Sequence, residues 1–83
     1  MAKKVMDMTK EKNFRSKDLY LSAFLKARGL DLIDTWREGN KVFFIFEDKR
    51  KAEELLKDFC NGGLVNISLF TKAIQDLKTL IYN

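Results

Sequence analysis

One spacing in this chain matches a catalytic pattern. Asp34, Glu47 and Lys49 stand as D-x12-E-x-K. Metal-dependent nucleases use such an order, with two carboxylates to hold Mg²⁺ and a lysine to assist the attacking water. A chain that is 34% charged produces this spacing by chance, however. Glu47-Asp48-Lys49 also falls where a strand gives way to a helix cap, and charged residues are common there. A Mg-dependent nuclease-like enzyme is therefore the third reading. Cys60 is the single cysteine and the chain has no histidine, so no imidazole is present to activate the thiol. On its helix it falls on the apolar stripe, where a buried thiol is expected. An intrachain structural zinc site lacks its ligands. Asn61-Gly62-Gly63 precedes a helix, as phosphate-cradling loops do, but has neither the spacing nor the lysine of a P-loop. A helix C-cap followed by a turn accounts for both glycines.

Two further groups of residues suit binding rather than catalysis. Trp36, Phe43 and Tyr20 are aromatic residues that could anchor a protein partner or stack bases. Lys3, Lys4, Lys10, Lys12, Arg15 and Lys17 could contact phosphates as a flexible arm. These six, against Asp7 and Glu11, carry the whole net charge of +4. Residues 18–83 hold ten Lys/Arg and ten Asp/Glu, so the body of the chain is balanced. A basic leader on a neutral body gives weaker support for nucleic-acid binding than a basic domain would.

The elements that must position these residues follow from periodicity. The 83 residues allow one small domain, and a 46% hydrophobic content allows it a core. Residues 1–12 are lysine-rich and aperiodic, and are expected to be a flexible leader. Asn13-Phe14-Arg15 reads as a short strand. Ser16 is expected to cap a helix whose apolar positions are Leu19, Tyr20, Ala23, Phe24 and Ala27, widened by Leu21 and Leu25 and stopped at Gly29. Leu30 to Arg37 and Val42 to Phe46 read as strands around a two-residue Gly39-Asn40 turn. That turn places Trp36 opposite Phe43, Asp34 opposite Ile45 and Leu32 opposite Glu47. Both hairpin faces are then apolar, so helices cover both or one meets a partner. Asp48 caps a second helix with the stripe Ala52, Leu55, Leu56, Phe59 and Cys60. Asn66 caps a third, with Val65 and Phe70 as a hydrophobic staple. Phe70, Ala73, Ile74, Leu77, Leu80 and Ile81 continue it.

Several pieces resemble, in order, a family of short prokaryotic and phage proteins of unknown function. They are Phe14-Arg15-Ser16-Lys17-Asp18-Leu19-Tyr20-Leu21, Gly39-Asn40-Lys41-Val42-Phe43-Phe44-Ile45-Phe46-Glu47-Asp48, Asp58-Phe59-Cys60-Asn61-Gly62-Gly63 and Leu77-Lys78-Thr79-Leu80-Ile81-Tyr82. The resemblance covers residues 14–82. It implies a small α+β domain and an accessory role on a mobile element, and it carries over no catalytic residue.

The expected fold is thus a single α+β domain over 13–83, in the order β-α-β-β-α-α around a central antiparallel hairpin. The expected function is non-enzymatic and needs no cofactor. It is binding of a protein partner, possible host or defence machinery among them, or self-association as a homodimer, through Trp36, Phe43 and Tyr20. Nucleic-acid binding by the basic arm is the alternative. One cysteine, no signal-like apolar leader and no membrane-length run point to the cytoplasm.

Overall fold

The computed structural model describes residues 12–82. The elements are β1 (Asn13–Ser16), α1 (Leu19–Ala27), β2 (Leu32–Glu38), β3 (Lys41–Glu47), α2 (Lys49–Cys60) and α3 (Ile67–Tyr82). This is the expected α+β order. The three strands form one antiparallel sheet in the order β1-β3-β2, so β3 is central and both of its neighbours are edges.

The hairpin forms because Gly39 takes a positive φ of 62° that an L side chain would resist, while Asn40 does not. A glycine in the first of two loop positions suits a type II′ turn, whose twist matches that of the strands. Glu38 faces Lys41 and Trp36 faces Phe43, as the turn requires. The register then slips at a bulge between Leu32 and Asp34. Leu32 consequently lies opposite Phe46 rather than Glu47, which moves it from the Trp36 face to the opposite one. Ile33, the extra residue, is 50% exposed.

All three described helices cover a single face of the sheet. Phe44 and Phe46 point into that side and are 1% and 0% exposed. Phe14, Leu32 and Val42 pack beside them against Phe24, Leu25, Leu55 and Leu77. The helix α1 runs between the other two. Its central residues, Leu21 to Leu25, are buried on every side, which explains its nearly unbroken apolar sequence. The α2 stripe buries Ala52 and Leu55, and Phe59 meets Phe24 at a ring separation of 5.4 Å.

Three local expectations need correction. Asp18, not Ser16, caps α1, accepting from the Leu21 N–H at 3.0 Å. Ser16 is instead the last residue of β1, on the covered face, where its Oγ accepts from the Ser22 hydroxyl at 2.9 Å. Strand alternation turned it inward, and a fully buried Ser22 supplied its partner. Cys60 is exposed rather than buried. At 100° per residue it lies about 80° around the helix from Ala52, while Phe59 lies only about 20° away on the other side. Tyr20 and Leu80, placed on apolar stripes by the sequence, are 58% and 41% exposed.

The caps of α2 and α3 form as expected. Asp48 accepts from the Lys51 N–H at 3.1 Å, and Asn66 from the Leu69 N–H at 3.0 Å. Beyond α2, the Gly63 N–H reaches back to the Asp58 carbonyl at 2.6 Å. A Cβ at position 63 would stand 2.7 Å from that oxygen, so only glycine fits. The Asn61-Gly62-Gly63 segment is thus explained by helix termination.

Candidate functional site

The uncovered face of the sheet follows from strict alternation. Asn13 and Arg15 from β1, Lys41, Phe43, Ile45 and Glu47 from β3, and Asp34, Trp36 and Glu38 from β2 share it. Its centre is apolar and aromatic. Trp36 is 49% exposed, and Phe43 and Ile45 are half-buried. None of these three belongs to the core cluster or packs against it.

The Trp36 and Phe43 rings are 6.3 Å apart and tilted by 47°, a favourable arrangement for an aromatic pair. The Arg15 guanidinium lies 5.2 Å from the centre of the Trp36 ring. Arg15 pairs with Ile45 in the register, so its side chain crosses over β3 to reach β2. The stem covers apolar surface while the charge sits on the π-face. Arg15 thus belongs to the aromatic patch, although the sequence grouped it with the basic arm. The rim carries Arg15 and Lys41 against Asp34, Glu38 and Glu47, so its charges nearly cancel.

The other expected site residues are placed elsewhere. Tyr20 is on α1, within the helical layer, and so does not share the sheet face with Trp36 and Phe43. Lys12 and Lys17 flank β1 and are exposed. Lys3, Lys4 and Lys10 lie outside the described residues. Asp34 and Glu47 share the open face, and the Asp34 carboxylate accepts from the Thr35 N–H at 2.8 Å. Among the described residues no three His, Cys, Asp or Glu side chains are gathered as metal ligands.

A concavity of about 850 Å³ is an open trough where Lys12 and Asn13 face Asp31, Glu47 and the first turn of α2. Its walls mix Lys12, Lys49, Arg50 and Lys51 with acids, and it gathers no convergent constellation. On the helical side, Arg28 joins three elements. It donates to the Leu64 carbonyl at 3.0 Å, pairs with Asp58 at 3.6 Å and lies over the Phe24 ring. Among the described residues no helix is long and apolar enough to cross a membrane.

The class defined by this geometry is a small two-layer α+β domain with helices on one side of its sheet and, on the other, an aromatic face that no described element covers. More narrowly, residues 11–83 match a family described as a domain of unknown function (DUF5659), and the chain belongs to that family. No curated protein and no solved structure is matched.

Proposed function

We propose that the chain is a small non-enzymatic accessory protein that binds a protein partner through the open sheet face centred on Trp36, Phe43 and Ile45. The observation that carries this reading is the contrast in cover. A half-exposed tryptophan sits in a contiguous apolar patch that none of the described helices reaches. Tryptophan and arginine are the residues that most often anchor protein interfaces, and a nearly neutral polar rim suits a protein surface. Tyr20, on the helical side, is outside this footprint. The resemblance over residues 14–82 supports a phage or mobile-element setting. The absence of any intrachain disulfide fits a cytoplasmic one.

One observation favours the alternative, nucleic-acid binding. Arg15 on Trp36 combines a cation with a stacking surface, as single-strand binders do. The three acids on the same face oppose it.

Capture from host lysate with wild type, Trp36→Ala and Phe43→Ala, with and without nuclease, separates these readings. Protein binding predicts a partner that survives nuclease and is lost with either alanine variant. Nucleic-acid binding predicts loss on nuclease treatment and a steep decline with salt. Equal capture by all three proteins would remove the open face from consideration.

A further inference from the structure

We propose that β2 pairs with β2 of a second copy, edge to edge, to make a two-fold dimer with a continuous six-stranded sheet. This inference uses the edge of β2 rather than its face, so it stands apart from the partner reading above.

The strand β2 is the least protected element of the fold. It packs mainly on β3, and its ties to the helical layer are Leu32 against the core and an Arg37 hydrogen bond to the Ile81 carbonyl. Every residue from Ile33 to Glu38 is exposed, on both faces of the strand. The other edge, β1, is only four residues long and is braced by α1 and α2. A seven-residue edge that no described element covers presents a row of N–H and C=O groups on its free side. In a two-residue hairpin the pair beside the loop is hydrogen-bonded, and pairs alternate from there. Counting back from Glu38–Lys41 turns the backbone groups of Thr35 and Arg37 to the free edge. There the Thr35 N–H donates to the neighbouring Asp34 carboxylate at 2.8 Å, a local bond that pairing would exchange for the carbonyl of the second copy.

The occupant is selected by charge. A two-fold axis normal to the sheet requires β2 to pair antiparallel with itself about one central residue. Centred on Asp34 or Arg37, that residue meets its own charge. Centred on Trp36, Asp34 meets Glu38 of the second copy. Each of these opposes like charges and is unfavourable. Thr35, the midpoint of Leu32–Glu38, is different. It sets Thr35 against Thr35, Asp34 against Trp36 and Ile33 against Arg37, with no like charges and complete overlap. The Asp34 carboxylate of one copy then faces the indole N–H donor of the other. The balanced charge of residues 18–83 adds no strong repulsion between bodies. The two aromatic faces would merge on one side of the joined sheet.

Sedimentation of the full chain across the micromolar range tests the pairing. A reversible dimer is expected. Thr35→Pro removes the outward N–H, and with it the local bond to Asp34, without touching the β3 ladder, and Thr35→Asp sets two acids against each other on the axis. Each is expected to weaken association on the order of tenfold or more while far-UV circular dichroism is retained. If the proline variant unfolds, the aspartate variant alone decides. In a Cys60→Ser background, Thr35→Cys should cross-link readily on oxidation, since facing hydrogen-bonded residues lie about 5.5 Å apart between Cα atoms. Glu38→Cys should not. A wild-type chain that stays monomeric, or a dimer indifferent to both Thr35 substitutions, overturns the proposal. Phe43→Ala, on β3 and outside the joined edge, reads the open face, so the two inferences fail separately.

Discussion

Phe43 and Phe44 are consecutive residues of one strand and share their side-chain chemistry. Phe44 is almost wholly buried beneath the helices, whereas Phe43 lies half-buried on the open side beside Trp36. The same contrast separates Phe46 from Ile45. A continuous apolar run of this kind is usual in strands covered on both sides. Here the described residues cover only one side. The inner residues are explained by folding, and the outer ones are not.

The sharpest way to break this comparison is to truncate both sides. Phe44→Ala and Phe46→Ala should each cost about 3–5 kcal/mol in urea unfolding, the range for aromatic truncation in a closed core. Phe43→Ala should cost about 1–2 kcal/mol, because its ring is only partly removed from water. If the Phe43 and Phe44 variants lost equal stability, the open face would be a second core. Trp36→Ala should cost still less stability than its size suggests, about 1 kcal/mol, since it forfeits mainly the Phe43 and Arg15 contacts. Its effect on partner affinity should be larger, about 2 kcal/mol or more. The ratio of the two measurements, by unfolding and by titration, separates a packing role from a docking role.

A smaller test concerns the buried hydroxyl pair. Ser16→Ala strands the fully buried Ser22 hydroxyl without its partner and should cost about 1–2 kcal/mol. Ser22→Ala should cost less, because Ser16 keeps its exchange with Asp18, with Oγ at 3.2 Å from the Asp18 nitrogen. Equal costs would show that the pair is not the structural tie we describe. Removing residues 1–12 should change stability least, by about 0.5 kcal/mol or less, as surface changes usually do. That truncation is expected to spare protein binding and to weaken any nucleic-acid binding. Thermal and salt titrations on the same sample would show both.

Much of the architecture was legible locally. Gly39-Asn40 fixed the hairpin and hence the Trp36–Phe43 pair, and Asp48 and Asn66 marked two helix starts. The rest depended on neighbours distant in sequence. No local signal says that β1 joins β3 on the far side from β2, yet this placement alone carries Arg15 to Trp36. The bulge at Ile33 was invisible, and with it the turn of Leu32 to the covered face. Ser16 and Asp18 are both good caps by type, and only the inward direction of Ser16 decides between them. Tyr20 was grouped with Trp36 and Phe43 by kind, but the helix that holds it belongs to the other layer.

The joint between β3 and α2 has a further consequence. Asp48 alone links Glu47 to Lys49, and it does so in the left-handed region at φ 68°, which aspartate tolerates better than most side chains. A connection of one residue has no slack. Inserting another residue there would turn α2 by about 100° and swing Leu55 and Phe59 out of the core. At the other end of the same helix, six residues from Asn61 to Asn66 lead to α3. Homologues should therefore differ in length after α2 and not before it, with the sheet and the start of that helix inherited as one indivisible unit.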